Sequence, residues 1–418
     1  MIRNSKFIVS PSTALHYQNS HWIPEINLIV YNMQDMVSDN NANDIAYSKV
    51  TRVHELSHSE QGKTGAIINR MAWTENAVQD LIHNTDINNA VKSQIAIDKL
   101  HLESIALMEA QVTFQIYVQI SILSSEKNMG INVDKAIEYL EKNMQSNLNR
   151  DKRYEDMFNK LQDIKEWSGS WLFAFQTSNY ALNLSYILPE EQMLADNPAL
   201  SPNNRFDDTY EILKQMHDSK SLKQRTEFAK FLKPKSDATE GQFLSFLNER
   251  TGFQFGPMNC PKDRDEFFHA IQNPCNIYKK KSTKDFINRH EQFIINNMGK
   301  VFLDFHRMMS ANNHVYVAYH NFNNTYYIPN YMFDDPMMGF AWEHMFMMWS
   351  LKEAIITKTS REYMLELIEH FLRDSEMGVN FKNHVNRIFD DIDYSKINPV
   401  LMEDFVSTSN KMERKLNW

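Results

Sequence analysis

The one spacing in the chain that implies a chemistry by itself lies in Val53-His54-Glu55-Leu56-Ser57-His58-Ser59-Glu60-Gln61-Gly62, which contains H-E-x-x-H. On a helix, residues four apart lie about one turn apart on one face, so the imidazoles of His54 and His58 can meet on a single metal ion. Glu55 falls about 100° further round the helix, close enough to take a proton from a metal-activated water without entering the coordination shell. That is the layout of a zinc hydrolase. A Zn2+ ion would polarise a scissile carbonyl, and Glu55 would deprotonate the attacking water and pass the proton to the leaving amine.

The elements that must position these residues are helices. Asn43 or Asp44 can cap a helix that starts before Ile45, no Pro or Gly intervenes up to Gln61, and Gly62 can supply the left-handed residue that ends it. Tyr47 and Val50 extend the histidine face toward the N-terminus. A second helix is expected from Ala66 to Ile82, and a third from Asp86 or Asn88, because Pro and Gly are absent as far as Lys127. In the third, Ile95, Leu102, Ala106, Glu109, Thr113, Ile116 and Ile120 share one stripe, while Ala96, Leu100, Glu103, Leu107, Phe114 and Tyr117 share another. A lone carboxylate in an apolar stripe is costly to bury, and a metal ion is one partner that would offset the cost. Three acids thus compete to be the third ligand: Glu75, seventeen residues after His58, and Glu103 and Glu109, which are six apart and so about 240° round one helix.

The stretch His54 to Gln61 resembles the H-E-L-x-H-x-x-Q form of the zincin metallopeptidases. Ala106-Leu107-Met108-Glu109-Ala110-Gln111-Val112-Thr113 resembles the A-L-x-E-G-x-A-T stretch that carries the third ligand in Glu-type zincins, departing from it at Ala110, where the family usually has Gly, and at Gln111, where it often has Asp. The likeness covers roughly residues 44 to 120. It implies zinc held by His54, His58 and Glu109, with Glu55 as general base and a peptide or protein as substrate.

Composition bounds the rest. With 10 Gly and 12 Pro in 418 residues, a turn-rich all-β fold and a Gly-rich nucleotide-binding α/β fold are both disfavoured. A net charge of −9 argues against non-specific binding to nucleic acid, which needs a basic field, and Lys279-Lys280-Lys281 reads as a solvated face. Cys260 and Cys275 stand fifteen apart with no C-x-x-C, as expected of reduced thiols in a cytoplasmic protein. Residues 1–10 have no apolar core long enough for a signal peptide, and Ile105 to Leu123 carries Glu109 and three glutamines, too polar for a lone membrane span.

The expected architecture is mainly α with some β: zincin-like active-site helices beside a small sheet, then a helical C-terminal region with a β-hairpin. Phe7-Ile8-Val9 and Ile26 to Tyr31 are the β-prone pieces near the start, and in zincin-like folds the edge strand of such a sheet receives an extended peptide substrate. Further helices are read at 133–167, 172–188, 210–232, 241–250, 283–309, 360–374 and 380–392. Residues 314–320 and 325–329 form the hairpin, on which His314, Tyr316 or His320 is a candidate to stabilise an oxyanion, and Trp342-Glu343-His344 reads as part of a buried helix. Pro189, Pro198 and Pro202 mark 189–207 as a linker between a metal-binding domain, 1–188, and a helix-rich domain, 208–418. The leading expectation is a zinc-dependent peptidase. A metal-dependent hydrolase of a non-peptide substrate shares the same water activation, and a non-catalytic scaffold with a structural metal site is the reading from a different class.

Overall fold

The computed structural model describes residues 6–8, 21–24, 28–32, 50, 53–55, 57–58, 61, 64–82, 84–123, 138, 141–142, 152–184, 188–231, 246–247, 249–250, 316–320, 325–327, 349–356, 361–362, 364–365 and 376–416. Helices hold 87% of the described residues, a mainly α class. The scarcity of Gly and Pro is the physical reason, since both residues cost helix stability in element interiors.

Two helices form the centre. α1 (Gly65–Ile82) and α2 (Ile87–Leu123) are joined by a tight turn in which Thr85 takes a positive φ of 47° and the Asp86 carboxylate accepts from the backbone N–H of Asn89 at 3.1 Å. At 37 residues α2 is about 55 Å long. Both of its stripes are buried: Ile95, Ala106, Thr113 and Ile116 on one side, Ala96, Leu100, Leu107 and Phe114 on the other. It is therefore packed on several sides, against α1, α3 (Lys152–Ser168), α4 (Trp171–Leu182), α5 (Glu190–Leu194) and α6 (Pro202–Asp218). α1 starts so close to the chain after α4 that a Cβ on Gly65 would fall 1.9 Å from the Leu184 carbonyl oxygen. Only glycine allows that approach.

The core beside the second half of α2 is aromatic. Phe114 meets Phe158 edge-on at 6.3 Å between ring centroids, and Tyr154, Phe173, Tyr180 and Phe206 are buried in the same cluster. Gly169, at φ 64°, separates α3 from α4, and the Ser170 hydroxyl accepts from Phe173 N–H to cap the latter.

Residues 189–207, expected as a linker from their prolines, carry α5, a 3-10 turn (Pro198–Leu200) and the start of α6. Asn197 and Ser201 cap the last two, with Pro198 and Pro202 in first-turn positions where a missing N–H costs nothing. The segment is anchored, since the buried Glu190 carboxylate accepts from Asn76 and Ser93 at 2.9 Å each. The helix expected over 210–232 is two helices, α6 and α7 (Leu222–Phe231), broken at 219–221.

Five short strands, β1 (Lys6–Ile8), β2 (His21–Ile23), β3 (Leu28–Asn32), β4 (Tyr316–His320) and β5 (Thr325–Tyr327), pair in the order β1-β5-β4-β3-β2. β3 and β4 run parallel with Ile29 opposite Val317, and the other pairs are antiparallel, with Trp22 opposite Ile29. Near the C-terminus, residues 349–356 are helical and buried, followed by α8 (Glu376–Asp391) and α9 (Pro399–Leu416), which packs on α2. Asn43, Asp44, Gly62, both cysteines, Lys279 to Lys281, the helix expected over 283–309, His314 and Trp342-Glu343-His344 lie outside the described residues. Among the described residues no helix is long and apolar enough to cross a membrane.

Candidate metal centre

Residues 53–55 and 57–58 are helical, and the Ser57 hydroxyl donates back to the Val53 carbonyl at 2.7 Å within that turn. The four-residue spacing brings the two imidazoles together: His54 and His58 meet edge-on with centroids 4.8 Å apart and Nε2 atoms 3.1 Å apart. α2 crosses this turn at Glu109. Its Oε2 lies 3.2 Å from His54 Nε2 and its Oε1 lies 3.2 Å from His58 Nε2. Of the three acids competing on sequence, Glu109 is the one that touches both histidines. Glu103, 240° away, instead accepts from the Ser201 hydroxyl at 2.6 Å and so braces the cap of α6. Glu75 is buried within α1, where burial pushes its carboxyl well above the ordinary carboxylate range.

Two imidazole nitrogens and the two oxygens of one carboxylate meet at 3.1 to 3.2 Å. In metal-free protein these contacts are hydrogen bonds carried by histidine protons, which a metal ion would displace. Each residue can offer one ligand atom, and these atoms lie within 4.8 Å of one another, close enough to face a single ion. Among the described residues this is the group of His, Cys, Asp or Glu that could hold a metal ion.

The electrostatics have the same origin. Burial depresses the basicity of His58, but the charge and hydrogen bond of Glu109, the charge of Glu55 and the bond to Gln61 outweigh it and raise His58 to about 9. For Glu109 burial again opposes ionisation and is outweighed by the two histidines, so its carboxyl is held far below the usual range. His54 is pulled down, chiefly by burial and further by the charge of His58, against the raising effect of Glu109. Glu55 is buried, and its action on His58 places its charge beside the ligands. The His58 side chain is 7% exposed, whereas His54 and Glu109 keep 20% and 26%, so the centre opens to solvent on their side.

Sequence reasoning missed three contributors. Trp22 of β2 lies parallel to the His58 ring, with centroids 6.3 Å apart and planes 9° off parallel. The Tyr154 hydroxyl pairs with Thr113, one turn past Glu109, and burial together with the Glu109 charge pushes that phenol up. Gln61 meets the back of His58, with Oε1 2.9 Å from Nδ1. Only Gln61 carried a signal, its position three residues after His58 and hence on the same helix face. Of the proposed oxyanion residues, Tyr316 and His320 belong to β4.

No protein-family model, curated protein or solved structure matches this chain. The centre is therefore read on its own geometry.

Proposed function

We propose that the chain is a zinc-dependent metallopeptidase in which His54, His58 and Glu109 hold the ion and Glu55 is the general base. The observation that carries this reading is the convergence of two imidazoles and a carboxylate, whose ligand atoms lie within 4.8 Å of one another, with an acid next to one histidine. Three protein donors with one side open to solvent fit a catalytic site better than a structural one, which usually closes its shell with four protein ligands. Zinc bound here would supply Lewis-acid polarisation of the scissile carbonyl and of the attacking water. Glu55 takes the proton from that water and returns it to the leaving amine.

The peptide part of the proposal rests on β2. This strand ends the sheet order and carries Trp22, which lies over His58, so a chain pairing with its outer edge would run past the metal centre. The expected zincin-like arrangement of a small sheet beside the active helix belongs to the same proposal.

The test is Glu55→Gln, assayed on an unselected peptide library with zinc supplied. The substitution keeps shape and hydrogen bonding but removes the base, so zinc stays bound while turnover falls by about 10² to 10⁴. Undiminished hydrolysis assigns proton transfer to another group. Zinc binding without cleavage of any peptide by the native chain removes the peptidase reading and leaves a hydrolase of another substrate or a scaffold.

A further inference from the structure

Behind His58 runs a chain of buried amides whose direction is set by its far end. Ser178 donates its hydroxyl proton to the Phe175 carbonyl at 2.7 Å, so its oxygen is an acceptor for Gln111 Nε2, 2.8 Å away. The second hydrogen of Gln111 Nε2 goes to Asn179 Oδ1 at 2.6 Å. Both Gln111 hydrogens are thereby used, and its Oε1 accepts from Gln61 Nε2 at 2.6 Å. Gln61 Nε2 spends its other hydrogen on the Met108 carbonyl at 3.0 Å. What remains for His58 is Gln61 Oε1, an atom that can only accept. Turning the Gln61 amide over would set its oxygen against the Met108 carbonyl and against Gln111 Oε1, two acceptors in a buried place, which is costly.

We infer that Gln61 and Gln111 are positioning residues that fix the tautomer of His58, obliging Nδ1 to carry the hydrogen and turning the Nε2 lone pair toward Glu109 and His54. The inference rests on the metal-centre reading above. Gln61 is 3% exposed, and Gln111 and Ser178 are fully buried, so water does not substitute for the bonds. The relay ties three elements to one imidazole: the histidine turn through Gln61, α2 through Gln111 and Met108, and α4 through Ser178 and Asn179. It also explains why an amide at position 111 serves where a carboxylate would not. Gln111 must both accept from Gln61 and donate twice to α4, which a carboxylate cannot do.

The experiment measures zinc and cobalt(II) affinity of the full chain for the native protein, Gln61→Leu, Gln111→Leu, the double variant and Gln61→Glu, with the fold of each checked by circular dichroism. Loss of a hydrogen-bond partner to a metal-binding histidine weakens metal binding about 10- to 100-fold. Gln61→Leu should show that loss, Gln111→Leu a smaller one, and the double variant no more than Gln61→Leu, because Gln111 acts only through Gln61. Gln61→Glu keeps an acceptor on Nδ1 but sets its second oxygen against the Met108 carbonyl and Gln111 Oε1, so it should restore only part of the affinity lost in Gln61→Leu. Were the amides merely packing, the buried charge of Glu would do at least as much harm as Leu, and that outcome overturns the inference. Native-like affinity in Gln61→Leu overturns it too while leaving the metal centre intact, whereas a native chain that binds neither ion overturns the centre and the relay together.

Discussion

Two polar clusters sit on the same face of α2, and they are built on opposite principles. Gln94, Asp98, His101, Ile105 and Glu109 follow one another at spacings of three and four, so they line one side of the helix. At the 109 end, every group that meets is titratable: two imidazoles, the Glu109 carboxylate and nearby Glu55. At the 94–101 end, permanent donors alternate with acceptors. Arg70 meets His101 Nδ1 at 2.7 Å, Lys352 Nζ lies 2.7 Å from Gln94 Oε1 and 2.8 Å from Glu353, and Gln94 Nε2 donates to Asp98 at 2.9 Å. The second cluster carries its own cations. At the first, the balancing charge in metal-free protein is a proton on His58, one that a metal ion can replace.

The sharpest way to break this contrast is to remove a cation from the self-balanced end. Lys352 is 1% exposed, so Lys352→Met leaves Glu353 and Gln94 without their ammonium partner in the interior. Breaking a buried pair from one side typically costs about 3 to 5 kcal/mol, and denaturant unfolding should show a loss of that order with zinc affinity unchanged. A loss of zinc affinity in a folded Lys352→Met chain would mean that the two ends are one functional unit.

A smaller effect separates the ends by pH. Asp98 is raised from 3.8 to about 7, first by burial and then by Glu353, against the hydrogen bond of Gln94 and the charges of Lys352 and Arg70. Between those two values the folded chain holds a proton that the unfolded chain has released, so stability falls as pH rises from about 4 to 7. Asp98→Asn should flatten that part of the profile. His58 in metal-free protein acts over a higher range: its folded value of about 9 exceeds the ordinary 6.5, so its contribution is complete below 6.5 and is lost as pH rises through 9. A profile of unfolding free energy against pH, recorded with chelator for the native chain and Asp98→Asn, checks both signs.

Much of the helical framework was legible because long runs without Pro or Gly leave little alternative to helix; α1 and α2 follow from that alone. The histidine pair was legible because four-residue spacing is a geometric statement. Glu109 was harder, since a stripe identifies the side of a helix and not what crosses it, and Glu103 and Glu109 both interrupt apolar stripes. Only the crossing of the histidine turn by α2 separates them. The amide relay was illegible for a different reason. Glutamine occurs on every polar surface, and what distinguishes Gln61 and Gln111 is burial and hydrogen-bond direction, both tertiary. Residues 189–207 misled because Pro, Asn and Ser mark loops and helix caps alike; there they cap a 3-10 turn and α6. α9 was passed over, although its packing on α2 makes it part of the frame.

The central claim, a metal ion held by His54, His58 and Glu109, is tested most directly by the zinc content of purified protein after loading and desalting, measured by inductively coupled plasma mass spectrometry. The account predicts about one ion per chain in the native protein, removable by chelator, and close to none in His54→Ala and in His58→Ala, with the helical circular dichroism retained because neither histidine belongs to the hydrophobic core cluster. Absence of zinc from the native chain, or an undiminished zinc content in both histidine variants, would contradict it.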